Sequence, residues 1–412
     1  MENSRVGLAD VTKPPQLEVS LELSMNLDVS KPALDITKPG LDISKPTLEE
    51  TLLEQELGNM SLRDDLNPFD SQIHATLLSK ISIPVEKRHG YICLHDVMLP
   101  SIRPHANVTI GESDFFCMEC KGEGAYGKVF KAMRCNSNTN DTIADMDVVL
   151  KVQKPPRPWE FYICDEIHRR LTNDQFFMSI PRCFAFQDGS IFVSELQMLS
   201  LLDVCNMVTQ MKKTSVEPIA MYFTIEMLHI LEKLRKAEII HGDIKPDNFL
   251  IQRKPDLNTD APDAQVMFES VCPTLQVIDF GVSIDMKLYH KNQSFVYKFE
   301  KADNRCPEML ENKSWTYHLD YFGVASVAHT LLHGNYMKIA KRGDTYYPNG
   351  SLKRWWDGAL WNDFFQQFLN IEGEKLPNVT QMRLRFESAF FELQKKTSFE
   401  TAASELNKLI RH

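Results

Sequence analysis

His241-Gly242-Asp243-Ile244-Lys245-Pro246-Asp247-Asn248, followed about thirty residues later by Asp279-Phe280-Gly281, is the stretch of sequence that decides the fold. It supplies a carboxylate and an amide at a fixed interval, and then a second carboxylate. Phosphoryl transfer from ATP uses such groups: an Asp accepts the proton of the attacking hydroxyl, while an Asn and a later Asp hold Mg²⁺ against the phosphates. We therefore predict that Asp243 is the catalytic base and that Asn248 and Asp279 are the Mg²⁺ ligands.

Lys245 follows Asp243 by two residues. A cation there offsets the negative charge that grows on the transferred group in the transition state, and it is typical of enzymes that phosphorylate serine or threonine. Neither motif is decisive alone, because an Asp and an Asn at this spacing often occur by chance and Asp-Phe-Gly could be an ordinary turn. The other motifs of the chain therefore have to appear in the matching order.

A glycine-rich stretch precedes these motifs, at Gly122-Glu123-Gly124-Ala125-Tyr126-Gly127-Lys128-Val129. Its glycines would let backbone amides approach phosphates without obstruction by side chains. A dinucleotide-binding fold would require the loop to open a helix, whereas the residues after Gly127 continue as a strand pattern. We assign ATP contacts to Gly122, Gly124, Gly127 and Val129.

Lys151 interrupts the apolar strand pattern Val148–Val152. Burial of an isolated ammonium group is unfavourable unless anions surround it, so Lys151 is predicted to contact the α- and β-phosphates of ATP. An exposed strand lysine is the simpler alternative. The lysine also needs a carboxylate from the next helix, for which Glu160 is the first choice and Glu166 the second.

Later motifs complete the set. Phe192–Gln197 resembles a strand and hinge, with Glu195 and Gln197 assigned to the adenine-binding backbone. Cys306-Pro307-Glu308 stands where protein kinases end their activation segment, and Asp320 begins a predicted buried helix that braces the catalytic loop. We predict structural roles for these two features and for His241. The motif order predicts an α+β, two-lobed protein kinase fold with a β-rich N-lobe and a helical C-lobe.

The 412 residues exceed one ordinary domain. Residues 1–65 contain the repeats Leu27–Ala33, Leu34–Gly40 and Leu41–Thr47. The Pro in each repeat removes a backbone donor and forbids a heptad coiled coil, so we predict a disordered low-complexity tail, with an array of short docking motifs as the alternative. Residues 66–111 are predicted to form an N-terminal extension packed on the core, and residues 112–412 the kinase domain.

Two shorter segments also carry expectations. Ile73, Leu77, Leu78 and Ile81 keep helical spacing and predict a helix within the extension. The polar insertion Lys254–Pro273, which contains Pro and Asp, is predicted to be a surface loop.

Composition excludes several classes of protein. With 43% hydrophobic and 25% charged residues the chain can bury a sizeable core, and its net charge of −10 disfavours nonspecific nucleic-acid binding. No apolar run suits a membrane span or a signal peptide, so we expect an intracellular protein without membrane or direct nucleic-acid contact.

The nine cysteines predict free thiols. Cys117-x-x-Cys120 could suggest zinc, but no second ligand pair follows, and strand packing is the favoured interpretation.

Gly242 stands directly before the catalytic Asp, where kinases activated by phosphorylation usually place Arg. That Arg would pair with a phosphate on the activation segment. We therefore expect activity that does not require such a phosphate, with residues 281–305 ordered by their own packing.

Beyond the general kinase motifs, the chain resembles the mitotic spindle-checkpoint serine/threonine kinases, the "budding uninhibited by benzimidazole" family, from about residue 67 to the end. The resemblance rests on Asn67–Asp70, Lys151–Pro155, Pro158–Ile163, Ile239–Phe249, Ser283–Leu288, Asp320–Ala325 and Tyr336–Lys338. It implies an ATP- and Mg²⁺-dependent kinase at nuclear kinetochores, with checkpoint proteins as partners and a histone tail among its substrates. It also implies that the extension braces the kinase core. Family members usually carry upstream helical repeats and a partner motif, neither of which residues 1–66 can supply.

An active serine/threonine kinase is therefore the leading hypothesis. The alternative is a kinase-fold scaffold that acts in the checkpoint by protein binding, since this family includes degenerate members. A small-molecule kinase is disfavoured, because Cys306-Pro307-Glu308 suits a segment that docks peptides. Only a measurement of phosphate transfer separates the first two.

Overall fold

The computed structural model describes residues 66–124, 127–135, 147–172, 174–197, 199–208, 210–254, 261–269, 272–299 and 305–394, together with 404, 405 and 408. The predicted tail of residues 1–65 and its repeats lie outside the described residues. A β-rich N-lobe is followed by a helical C-lobe, which confirms the predicted two-lobed α+β architecture.

One seven-stranded sheet dominates the described N-lobe. Its strands are β1 (Tyr91–Leu94), β2 (Ala106–Ile110), β3 (Ser113–Gly124), β4 (Gly127–Cys135), β5 (Asp147–Gln153), β6 (Arg182–Phe186) and β7 (Ser190–Glu195). The spatial order is β1-β6-β7-β5-β4-β3-β2, and only the β1–β6 pair of this sheet is parallel. Alternate side chains, among them Phe115, Phe130, Leu150 and Ile191, form an apolar cluster on one face.

Cys117 and Cys120 both lie on β3, where Cys117 is buried and Cys120 is exposed. Strand packing therefore accounts for Cys117, as predicted. All nine cysteines of the chain are free.

The predicted extension contributes to this sheet directly. β1 lies at one edge of the sheet and β2 at the other, so residues 66–111 cover both edges of the strands that follow them. The predicted helix is present as α1 (Ser71–Ser79), which Asp70 caps by accepting a hydrogen bond from the Gln72 N–H. Ile73 and Leu77 are its buried apolar residues, and the helix ends before Ile81.

Helix α2 (Pro158–Leu171) packs between the sheet and the C-lobe. Pro158 suits the start of the helix, because the first turn needs no N–H donor there. Its first turns bury Trp159, Glu160 and Phe161, and the helix ends at Thr172 in a left-handed conformation. A carboxylate on this buried face requires a cationic partner.

The C-lobe is built around two buried helices, which match the long helical pattern predicted from about residue 218. Its helices are α3 (Leu201–Val208), α4 (Val216–Ala237), α5 (Ala264–Glu269), α6 (Pro307–Leu310), α7 (His318–His333), α8 (Gly358–Leu369) and α9 (Val379–Gln394). The central pair, α4 and α7, pack against each other, and α9 packs on α4. None of the helices in the described part of the chain is long and apolar enough to cross a membrane.

The insertion predicted as a loop is partly helical. Its residues 261–269 include α5, which places Met267 in the core and the Phe268 ring 5.7 Å from the Phe390 ring of α9. The prediction was wrong here because so short a helix carries too few apolar residues to show a helical period.

The C-lobe also contains short strands, and four of them hold the loops that carry the catalytic motifs. The short strands are β8 (Leu199–Ser200), β9 (Ile239–Ile240), β10 (Phe249–Ile251), β11 (Leu275–Val277), β12 (Ile284–Asp285), β13 (Ile339–Arg342) and β14 (Thr345–Pro348). β10 pairs with β11, and β9 pairs with β12. The loop from β9 to β10 and the loop from β11 to β12 are therefore held side by side.

Candidate active site

Lys151 joins two carboxylates from opposite lobes. Its Nζ lies 2.8 Å from each oxygen of Glu160 and 2.7 Å from Oδ1 of Asp279. Glu160 reaches the lysine because it lies in the first turn of α2, shortly after β5 ends. Glu166, the second choice, is instead bound by Arg88 and Arg170. Folding thus brings together the strand lysine, the helix glutamate and the aspartate of Asp-Phe-Gly.

The electrostatics of this cluster favour the charged forms. Burial alone would lower the pKa of Lys151, but Asp279 and Glu160 outweigh burial and raise it. Burial would likewise raise the pKa of Asp279, yet the Lys151 ammonium lowers it to about 2. Asp279 is therefore ionised at neutral pH, which its predicted role as a Mg²⁺ ligand requires. Its backbone has a φ of +66°, a strained conformation for a residue other than glycine.

The loop after β9 holds Asp243 between two side chains. The Lys245 Nζ lies 2.8 Å from Asp243 Oδ2, and the Asn248 side-chain amide donates to Asp243 Oδ2 at 3.1 Å and to its carbonyl oxygen at 2.8 Å. Burial lowers the pKa of Lys245, but the Asp243 carboxylate more than offsets this and raises it. Asp243 is therefore oriented by a cation and by an amide.

His241 and Asp320 support this loop from beneath. The Asp320 carboxylate accepts hydrogen bonds from the backbone N–H groups of His241 at 2.7 Å and Gly242 at 2.9 Å. The buried His241 ring accepts from the Asp243 N–H at Nδ1 and donates from Nε2 to the Ile278 carbonyl at 3.0 Å. The ring thus links the loop after β9 to the residue before Asp279.

The glycine-rich residues lie along the turn from β3 to β4. Gly122 pairs with Val129 and Gly124 with Gly127, while Ala125 and Tyr126 lie outside the described residues. A Cβ atom at Gly127 would lie 2.0 Å from the Val152 carbonyl oxygen, so only glycine fits there.

The remaining predicted ATP contacts lie nearby in the sheet. Val129 is the register partner of Lys151 across β4 and β5. Glu195 is the exposed last residue of β7, and Gln197 follows it in irregular backbone. Glu195 pairs in register with Val148, which places the predicted hinge beside the strand that carries Lys151.

The residues present fit a bound Mg²⁺. Because the Asn248 amide nitrogen is engaged by Asp243, its oxygen Oδ1 stays without a donor among the described residues and can serve as a ligand. No group of three or more His, Cys, Asp or Glu in the described part of the chain could hold a metal by itself. Mg²⁺ commonly binds through one or two protein ligands together with substrate phosphates and water.

A second polar cluster, which the sequence did not predict, lies between α2 and β12. Arg170 and Tyr162 of α2 both bind Asp285, six residues after Asp279. No local pattern could have identified it, since the paired residues are more than a hundred positions apart.

Sequence reasoning also missed what covers Gly242. Gly242 has a φ of +82°, and a Cβ there would lie 2.8 Å from the Val282 carbonyl oxygen and 3.3 Å from the Phe69 ring. The Phe69 ring in turn lies 4.9 Å from Phe299 and 5.7 Å from Tyr297, between centroids. The start of the extension therefore packs on the activation segment.

Comparison with known proteins places these features in context. The family described as "Protein kinase domain" matches residues 118–353. The "Mitotic checkpoint serine/threonine-protein kinase BUB1" of Mus musculus is 34% identical over 336 residues, which cover 80% of this chain and 31% of the mouse protein. The protein of the same description in Arabidopsis thaliana is 33% identical over 323 residues, or 74% of this chain and 60% of that protein.

A solved structure gives the same result. The crystal structure of the BubR1 kinase domain superposes with a TM-score of 0.72 at 32% identity, and the match covers 84% of this chain and all of that one. The chain itself spans about a third of the mouse relative's length and three fifths of the Arabidopsis relative's.

Proposed function

The chain belongs to the protein kinase family, within its spindle-checkpoint group, and from that premise we propose that it is an active serine/threonine kinase that uses ATP and Mg²⁺. The observation that carries the proposal is the convergence of the catalytic groups. Lys151 contacts both Glu160 and Asp279, and Asp243 is held by Lys245 and Asn248. A kinase fold retained only for binding would not need both clusters intact.

Each residue has a distinct task in this proposal. Asp243 accepts the proton of the substrate hydroxyl, with its carboxylate held in place at Oδ2 by the Asn248 amide and the Lys245 ammonium. Lys245 balances the charge that develops on the transferred group. Lys151, fixed by Glu160, binds the α- and β-phosphates, and the glycines from Gly122 to Gly127 cover them. Mg²⁺ held by Asn248 and Asp279 would neutralise charge between the phosphates.

The cellular role is proposed from the relatives. Because they are mitotic checkpoint kinases, we infer that this chain acts in the spindle checkpoint, in the nucleus and at kinetochores, on protein substrates such as a histone tail. Checkpoint proteins would be its partners. The alternative, a kinase-fold scaffold in the same pathway, would preserve ATP binding and partner contacts without phosphate transfer.

The test measures phosphate transfer from labelled ATP-Mg²⁺ to histone and to generic protein substrates. The Asp243→Asn variant should lose at least 100-fold in kcat, since the general base alone contributes about 10²–10⁴-fold. Asp344→Asn, a change at an exposed carboxylate on the turn from β13 to β14, is the matched control and should retain activity. Equal background transfer by the wild type and Asp243→Asn would instead support the scaffold.

We also infer that activity does not depend on phosphorylation of the activation segment. Gly242 provides no Arg to bind such a phosphate, and Phe69 and Val282 occupy the space beside it. Treatment with phosphatase should leave the transfer rate unchanged. Loss of activity together with a mapped phosphate between residues 281 and 305 would contradict this.

A further inference from the structure

Because residue 242 is Gly and not Arg, some other contact must fix the position of the activation segment relative to α2. We propose that the buried Asp285–Arg170 pair is that contact, and that Asp285 is a positioning residue which keeps Glu160 engaged with Lys151. This inference rests on the proposed kinase function.

Asp285 is fully buried and all its bonding capacity is used. Arg170 donates to it through two nitrogens, Nη1 to Oδ1 at 2.8 Å and Nη2 to Oδ2 at 2.5 Å. The Tyr162 hydroxyl donates to Oδ2 at 2.7 Å and the Lys287 N–H to Oδ1 at 3.1 Å. A bidentate Arg–carboxylate pair with two further donors fixes both the distance between Arg170 and Asp285 and their relative orientation, as an Arg–phosphate pair does.

The pair joins the helix that carries Glu160 to the segment that follows Asp279. Arg170 and Tyr162 both lie on α2, whereas Asp285 lies on β12, whose partner β9 leads directly into the catalytic loop. Arg170 Nη1 also donates to the Ala237 carbonyl at the end of α4, at 2.7 Å. The Asp285–Arg170 pair thereby connects α2 to the segment after Asp279, and Arg170 also connects it to the end of α4 that precedes β9.

The opposite end of α2 is fastened to the same segment. The Trp159 indole N–H donates to the Ser283 carbonyl at 2.8 Å, and the His74 ring of α1 stacks on Trp159 at 4.1 Å between centroids. Residues 283–285 therefore hold α2 near its first turn and near its last. Because Glu160 lies between these two contacts, its position depends on both.

Loss of the Asp285 charge cannot be absorbed locally. In Asp285→Asn the side-chain amide would place N–H donors against an Arg or Tyr donor, and the buried Arg170 guanidinium would lose its bidentate anion. Glu166 would still bind Arg170 Nε at 3.0 Å, but it lies on α2 itself and cannot tie the helix to the C-lobe. Helix α2 would then move away from β12 and carry Glu160 with it.

The experiment compares Asp285→Asn and Arg170→Lys with the wild type in the full chain. Asp285→Asn should lower kcat/KM at least 10-fold, with a raised KM for ATP, and should speed amide hydrogen exchange in residues 158–171 but not in the α4 core. Arg170→Lys keeps the positive charge but loses the bidentate geometry, so its kcat/KM and its hydrogen exchange in α2 should lie between those of the wild type and of Asp285→Asn. Arg169→Lys is the matched control, because Arg169 is half exposed and, among the described residues, forms its ion pair with Glu166 alone.

The readouts separate failure of this proposal from failure of the kinase assignment. Transfer by Asp285→Asn at the wild-type rate, or unchanged exchange in α2, would overturn the positioning role. Faster exchange throughout α4 as well would show a general loss of stability and would also overturn it. If the wild type transfers no phosphate, the kinase function fails, while exchange in α2 still tests the contact. Should Asp285→Asn not fold, Arg170→Lys supplies the same comparison.

Discussion

At the scale of single residues, backbone conformation limits what the site can contain. Gly242 has a φ of +82° and lies beneath Val282 and Phe69, so an Arg at this position would have to displace backbone. The presence of Gly instead of Arg therefore does more than remove a phosphate ligand, because Val282 and Phe69 occupy the space that a side chain would need. The presence of Gly instead of Arg at position 242 and the packing of Phe69 beside it therefore belong to a single structural feature.

The crowding at Gly242 can be measured against a matched glycine. Gly343 has a similar φ of +60° but nothing within 4 Å of its Cβ position. Gly343→Ala should cost about 1 kcal/mol from the left-handed backbone alone, and Gly242→Ala about 2–3 kcal/mol more because Val282 must move. Urea unfolding of both variants gives the comparison. Equal losses would mean that the contact with Val282 contributes nothing.

At the scale of elements, helix α4 anchors the strand that leads to Asp279. Glu226 of α4 accepts hydrogen bonds from the Thr274 N–H at 2.8 Å, the Leu275 N–H at 2.7 Å and the Tyr222 hydroxyl at 2.9 Å. These bonds satisfy the backbone N–H groups at the start of β11, and the other end of β11 continues to Asp279. Burial raises the pKa of Glu226 to about 7.

That raised pKa predicts a pH dependence of stability. Between the ordinary value of 4.5 and about 7 the folded state keeps a proton that the unfolded state has lost, so the free energy of unfolding falls as pH rises. Relative to Glu226→Gln, the wild type should therefore be most stable below pH 4.5 and lose that advantage up to about pH 7. Unfolding of both proteins across this range is the measurement, with Glu232→Gln as a control on the same helix. An advantage that grows with pH would contradict the assignment.

At the scale of the whole molecule, the extension is part of the N-lobe. β1 and β2 cover the edges of β6 and β3, α1 packs on α2, and Phe69 reaches the activation segment. Uncovered strand edges expose unpaired backbone groups and favour aggregation. The residues that the structure describes thus begin at residue 66, ahead of the region matched by the kinase family, and the extension belongs to the same folded unit.

Truncation tests this boundary. A chain of residues 66–412 should fold with the stability of the full protein, whereas residues 112–412 should be poorly soluble, because both sheet edges and the surface beneath Phe69 become exposed. Soluble yield, gel filtration and urea unfolding of the two chains provide the measurement. A monomeric 112–412 chain with unchanged stability would show that the extension is dispensable for folding.

Much of the fold and site could be predicted because the signals are local. The glycine-rich turn, the lysine within an apolar strand and the two catalytic motifs each depend on a few neighbouring residues, so their chemistry is visible in order along the chain. The helical periods of α1 and α4 are likewise local. The insertion before β11 was misjudged because α5 is stabilised by contact with α9, which no local period encodes.

By itself, the sequence determined the two-lobed architecture and the chemical groups that the proposed phosphate transfer would use, since motif spacing and hydrophobic period are properties of neighbouring residues. Only the tertiary structure decided which carboxylate meets Lys151, how β1 and β2 complete the sheet, and that Asp285 is bound by Arg170. Those choices depend on contacts between residues far apart in the chain. Such contacts form only when burial of the core brings charged partners together and leaves them no water to bind instead.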